Sequence, residues 1–79
     1  MINAYILIDM EPGDSAKAIN EMRKIENIAK ISIVAGEYDV VVRVKVQKLE
    51  DLLKVTNKIQ IISGVRKTTT HVIEKEIAL

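Results

Sequence analysis

The sequence predicts an α+β domain in which strands and helices follow the order β-α-β-β-α-β. Three observations predict this class: short alternating runs rich in β-branched residues, stretches with apolar residues at helical spacing, and turn-forming residues between them. The length of 79 residues suits one domain, and we expect a single domain over residues 1–79. No linker or composition shift divides the chain, beyond a weak similarity between its two β-α-β halves.

The first half of the chain is predicted to contain a strand, a helix and a second strand. Residues 2–8 alternate as a strand, and Pro12 then introduces a turn. Asp14 is placed to cap a helix that ends at Asn27, and residues 28–35 form the second strand. The helix is indicated by an apolar stripe made of Ala18, Ile19, Met22 and Ile25.

The second half repeats this pattern with a strand, a helix and a final strand. Residues 40–46 alternate strictly, with valine at each even position, and residues 49–62 return to a helical period. Gly64 suits the end of that helix, and residues 65–77 alternate as the last strand. The predicted apolar stripe of the second helix consists of Leu49, Leu52, Leu53, Thr56, Ile59 and Ile62.

This order is that of the split βαβ, or ferredoxin-like, fold: a four-stranded antiparallel sheet with both helices on one face. The short link at residues 36–39 favours an antiparallel hairpin between the second and third strands. Apolar residues nevertheless point to both sides of the strands, since Tyr5 and Leu7 oppose Ile6 and Val41 opposes its valine neighbours. We therefore expect the sheet face without helices to pack against the same face of a second copy, giving a dimer.

Composition excludes several classes of function. The net charge is +1, from 12 basic and 11 acidic residues spread along the chain, so no basic stripe for direct nucleic-acid binding is expected. There is no cysteine and one histidine, so neither a metal site nor a cofactor is expected. No stretch reaches the length of a membrane span, and the start lacks the pattern of a signal peptide, which predicts a cytoplasmic protein without a membrane contact.

Two segments carry the polar residues from which a binding site can be built. Gly36, Tyr38 and Asp39 precede the third strand, and Thr68 and Thr70 lie on one side of the fourth. Paired hydroxyls with free backbone N–H groups suit a carboxylate, an aspartate suits an ammonium group, and a tyrosine ring supplies an apolar wall. The set suits a zwitterion such as an amino acid. A purely structural turn, with glycine at positive φ and Asp39 bonded to nearby backbone, remains an open alternative.

The sequences GEYD at residues 36–39 and GVRKTTT at 64–70, with AYILI at 4–8, resemble the regulatory (RAM) domain of the Lrp/AsnC transcription regulators. The resemblance spans the whole chain. It implies a dimer whose sheets face one another, assembly of dimers into octamers or decamers, and an amino-acid effector bound between dimers. It assigns ligand binding to Gly36, Tyr38, Asp39, Thr68 and Thr70. The first strand follows Met1 at once, so we expect a stand-alone form that lacks the helix-turn-helix domain of the family.

Two alternatives to effector binding stay open at this point. The chain could act without a ligand, as an oligomerisation partner of full-length Lrp/AsnC regulators. It could be an amino-acid-binding ACT domain, which shares the strand order. Catalysis is not expected, because the chain has one histidine, His71, and no nucleophile is paired with it.

Overall fold

The computed structural model describes residues 1–79 and confirms the predicted order of elements. The strands are β1 (Ile2–Met10), β2 (Ile28–Ile33), β3 (Val40–Val46) and β4 (Val65–Val72). The helices are α1 (Ser15–Met22) and α2 (Leu49–Gln60). Neither helix has the length and apolar character to cross a membrane.

The four strands form one antiparallel sheet in the order β2-β3-β1-β4. The central strand β1 pairs with β3 on one side and β4 on the other, so that Ile6 lies opposite both Val42 and Thr70. β2 and β4 are the edge strands. Each therefore presents one row of backbone groups that no strand of the same chain pairs with.

Both helices cover the same face of the sheet, and the core lies between the two layers. Ile6 and Ile8 on β1 and Val42 on β3 are completely buried there, because alternate residues of a strand point to one side. The helices contribute their own apolar residues to this layer. The core consists of Ala4, Ile6, Ile8, Met10, Ala18, Met22, Val40, Val42, Val44, Val46, Leu52, Val55 and Ile59.

The opposite side of the sheet, which carries no helix, is called the bare face. On β1 and β3 it presents half-buried Leu7 and Val41, and Tyr5 is 39% exposed. The strand registers place the following residues on it: Asn3, Tyr5, Leu7, Asp9, Lys30, Ser32, Val41, Arg43, Lys45, Lys67, Thr69 and His71.

The boundaries of α1 and its cap differ from the prediction. α1 ends at Met22, and the next residues continue as turns until Asn27, whose positive φ of 75° redirects the chain into β2. Asp14 occupies the N-cap position, but its side chain makes no capping hydrogen bond. Its own backbone is helical there, which is not the extended conformation that capping geometry uses.

Three further expectations, about the apolar stripe of α2 and the ends of two strands, were wrong in detail. On α2, Leu49 and Leu53 are mostly exposed, while Val55, which the predicted stripe omitted, is buried. β4 ends at Val72, so Ile77 lies beyond the strand and is 75% exposed. β1 in turn extends two residues past its predicted end, to Met10.

Candidate functional site

The link between β2 and β3 is held in place mainly by Asp39. The backbone N–H of Asp39 donates to the Ile8 carbonyl (3.0 Å), and the Asp39 carbonyl accepts from the Val34 N–H (3.0 Å). Its carboxylate oxygen Oδ2 accepts a hydrogen bond from the Met10 N–H at 2.8 Å. The turn before it needs Gly36, whose φ of +151° is unfavourable for other residues.

The Asp39 carboxylate extends the hydrogen-bonded ladder between β1 and β3. The backbone pairing of these strands ends at Ile8 and Val40, so the Met10 N–H has no β3 carbonyl to bond to. Asp39 supplies the missing acceptor, as short acidic side chains often do in turns. Oδ1, the second oxygen, accepts no hydrogen bond within the chain, which leaves half of the carboxylate available to a ligand.

Tyr38 reaches across the sheet to β4. Its hydroxyl lies 3.2 Å from Thr69 Oγ1, and either oxygen can donate. Because Thr69 pairs with Leu7 on the bare face, and β1 lies between β3 and β4, the tyrosine spans the width of β1. The two segments singled out in the sequence therefore meet within one chain, through Tyr38 and Thr69.

Asp39 lines a groove of about 340 Å³ between the end of β2 and the turn that leads into α1. This groove is called the Asp39 groove. Its walls combine apolar side chains, two acidic residues and the start of the helix. The lining residues are Met10, Glu11, Pro12, Gly13, Ser15, Ile33, Val34 and Asp39.

The turn at Gly64, which precedes β4, is hydrogen-bonded to the turn that lines the groove. The Gly64 carbonyl accepts the Glu11 N–H at 2.7 Å, which ties the start of β4 to the β1–α1 turn. A Cβ atom at Gly64 would lie 2.6 Å from the Asp14 Cβ, and its φ is +96°. Only glycine fits this close approach without displacing the neighbouring turn.

Thr68 and Thr70 lie elsewhere. They face the helix side of the sheet, opposite Ile8 and Ile6, and they belong to the edge strand β4. Gln60 Nε2 donates to Thr68 Oγ1 at 3.0 Å, and Thr70 is exposed. One chain does not bring this pair together with Tyr38 and Asp39, so the five-residue site stays a prediction that requires a neighbouring copy.

The charged groups near the groove are loosely paired. Arg66 Nε lies 3.7 Å from Glu11 Oε1 and 3.8 Å from Asp9 Oδ2, and all three side chains are partly exposed. No group of three or more His, Cys, Asp or Glu side chains is arranged to hold a metal ion.

Three residues that the sequence pattern did not indicate lie at the candidate site: Glu11, Ser15 and Thr69. The alternation of β4 correctly puts Thr69 on the opposite side from its threonine neighbours, but the contact of Thr69 with Tyr38 depends on the strand order. Glu11 and Ser15 line the Asp39 groove because their turn folds back over the sheet end. Both residues flank a Pro-Gly turn directly after the first strand. Loops in such positions often carry binding residues, so this placement could have indicated them.

The strand order and the two helices define a ferredoxin-like α+β domain. Residues 3–78 match the family model of the Lrp/AsnC ligand binding domain, and the chain belongs to this family. This match decides against the ACT alternative. The family is a ligand-binding domain of transcription regulators, so the chain is not an enzyme.

Known proteins of this family resemble the chain over nearly its full length. An uncharacterized HTH-type transcriptional regulator of Pyrococcus abyssi is 32% identical over 73 residues, which are 91% of this chain and 46% of that protein. The chain thus spans about half the length of the curated relatives it matches.

Solved structures show the same fold. The crystal structure of TTHA0845 from Thermus thermophilus superimposes with a TM-score of 0.92 at 26% identity, covering 100% of both chains. The feast or famine regulatory protein of M. tuberculosis, complexed with L-methionine, gives a TM-score of 0.81 at 24% identity, covering 100% of this chain and 54% of that chain.

Proposed function

We propose that the chain is an effector-sensing module that binds an amino acid or a related small metabolite and thereby modulates transcription in the cytoplasm. The observation that carries the proposal is the Asp39 carboxylate. It is fixed through Oδ2 by the Met10 N–H, and it lines a groove with apolar walls while Oδ1 has no partner. Family membership supports the regulatory role, since the curated relatives are named as transcriptional regulators.

The polar groups around the groove match a zwitterion. The free Oδ1 of Asp39 accepts the ligand's ammonium group in a charge-assisted hydrogen bond, and Ile33 and Val34 contact its apolar part. Thr68 and Thr70 donate to the ligand carboxylate from a neighbouring copy, since their edge strand is open to one. Tyr38, already bonded to Thr69, closes the end of the bare face beside this site.

The assembly that creates such sites begins with a dimer through the bare face. Leu7, Val41 and Tyr5 form its apolar part, and exposure of such a surface to water is unfavourable for a domain that buries only a small core. Two such faces pack at the spacing of about 10 Å that is usual for stacked sheets. Further contacts between dimers then build an octamer or decamer, in which the effector sites lie between subunits.

Calorimetric titration with the twenty common amino acids tests the effector proposal, and L-methionine is the first ligand to try. The informative variant is Asp39→Asn, because the amide oxygen still accepts the Met10 N–H while the charge is lost. We expect wild type to bind at least one amino acid and Asp39→Asn to bind it about tenfold more weakly or worse. Glu37→Gln, a neighbouring exposed position, is the control and should bind normally. A flat response of wild type to every amino acid contradicts the proposal.

A second candidate function uses the same bare face without a ligand. The curated relatives are about twice as long and are named HTH-type regulators, so their matching domains offer a comparable sheet face. The chain would then join assemblies of full-length regulators and alter their DNA binding. Co-expression with such a regulator followed by affinity purification tests this, and recovery of particles containing only one kind of chain counts against it.

A further inference from the structure

The charges that line the Asp39 groove are all of one sign. Glu11 and Asp39 are its acidic residues, and no Lys, Arg or His lines it. The rest of the lining is apolar or neutral. A ligand in this groove therefore meets negative charge on the side of the β1–α1 turn as well as at Asp39.

The nearest cation compensates only a part of this charge. Arg66 lies 3.7 Å from Glu11 and 3.8 Å from Asp9, so one guanidinium is shared by two carboxylates. The side chains of Arg66 and Glu11 are 52% and 54% exposed, and pairs of this kind interact weakly in water. Glu11 thus keeps a negative charge beside the groove.

An amino-acid ligand carries one ammonium group, which Asp39 accommodates, and one α-carboxylate. A second carboxylate on its side chain would find no cation in the part of the site that this chain contributes, and it would lie near Glu11. We propose that Glu11 is a specificity residue, which makes the site select amino acids with neutral or basic side chains and reject those with acidic ones. This inference rests on the proposed function, and it concerns which amino acids the site accepts.

Glutamine and glutamate form the matched pair of probes, since they differ in side-chain charge and hardly in shape. In calorimetric titrations of the wild-type oligomer we expect L-glutamate to bind several-fold more weakly than L-glutamine, because a like charge close to Glu11 is unfavourable and exposure to water moderates the effect. L-aspartate and L-asparagine should show the same order. About 0.5 M salt should shrink the difference, because an open groove is screened by ions.

Variants at Glu11 separate the charge effect from a general loss of binding. Glu11→Gln should reduce the discrimination between glutamine and glutamate several-fold, and Glu11→Lys should reverse its direction. Glu26→Gln is the control, since Glu26 does not line the groove. It should behave as wild type.

The outcomes distinguish this inference from the proposed function. If wild type binds no amino acid, the proposed function fails and the inference fails with it. If L-glutamate binds as tightly as L-glutamine, or if Glu11→Gln leaves their ratio unchanged, the inference alone is overturned. If only other amino acids bind wild type, Glu11→Lys must gain binding of L-glutamate or L-aspartate, and no gain overturns the inference.

Discussion

The two faces of the sheet are built from the same strands but have different surroundings. On the helix face Ile6, Ile8 and Val42 are completely buried, whereas their neighbours Leu7 and Val41 on the bare face are only half-buried. All of these are β-branched or aliphatic residues. The difference arises because α1 and α2 pack on one side of the sheet, whereas no helix packs on the other. The helix face is thus a complete apolar core, whereas the bare face keeps an apolar patch of Tyr5, Leu7 and Val41 among polar residues.

Arg43, which lies on the bare face, has hydrogen-bonding groups that are only partly satisfied. Its guanidinium stacks over the Tyr5 ring, with 5.2 Å from Cζ to the ring centroid, and it donates to Glu76 Oε1 at 2.6 Å. Its Nε is shielded from solvent and has no hydrogen-bond partner. Buried donors without acceptors are rare, so this one is an unfavourable feature of the bare face.

Truncating the helix face should have the largest effect. Ile6→Ala removes three carbons from a completely buried site and should lower the free energy of unfolding by about 2–5 kcal/mol. Denaturant titration at fixed protein concentration measures this. Leu53→Ala on the exposed side of α2 is the control and should change stability by less than about 0.5 kcal/mol. Equal effects at the two positions would contradict the assigned core.

A charge on the bare face should separate the copies. Leu7→Glu places a carboxylate at the proposed interface and should weaken association by about 2 kcal/mol or more, which sedimentation velocity detects as a lower mass. Leu53→Glu is the matched control, because it makes the same change at a residue that is 60% exposed on α2. If both variants keep the mass of wild type, the bare face is not the surface through which the copies associate.

Removal of the Asp39 side chain tests the junction between the two faces. Asp39→Ala leaves the part-buried Met10 N–H without its acceptor and should lower the free energy of unfolding by about 1–3 kcal/mol. Asp39→Asn should lose much less, because its amide oxygen replaces the carboxylate oxygen. Thermal unfolding of both variants measures the difference. Similar losses in the two would show that charge, and not the backbone hydrogen bond, accounts for the effect.

The smallest effect is expected at the end of the bare face. Tyr38→Phe removes the hydroxyl that contacts Thr69 and should cost about 0.5–1 kcal/mol. Thr69→Val should cost a similar amount. If the two groups act as a pair, the double variant loses less than the sum of the single losses. If chemical denaturation shows that the losses in free energy of unfolding are additive, the hydrogen bond is not their common cause.

The elements that followed from the sequence are those with strict periodicity. β3 was predicted to the residue, because its valines alternate without interruption from Val40 to Val46. The end of β1 was not, because Met10 stays in the strand through the Asp39 side chain and the pairing with Val65 on β4. No local pattern can indicate such contacts, since they join residues that are distant along the chain.

The candidate site was predictable only as a set of residue types. The pattern pointed to Tyr38 and Asp39, but their directions depend on the strand order: Tyr38 crosses β1 to Thr69, while Asp39 turns toward Met10. In the proposed site, Thr68 and Thr70 join them from a neighbouring copy. That arrangement is a property of the assembly, and a single sequence contains no periodic signal for it.

The mass of the folded protein in dilute solution tests the central claim most directly. Analytical ultracentrifugation at micromolar concentration should give at least twice the 8.9 kDa of one chain, with larger species when dimers assemble further. A folded species of 8.9 kDa would contradict the account, because the bare face would then be stable in water and the sites between subunits would not exist.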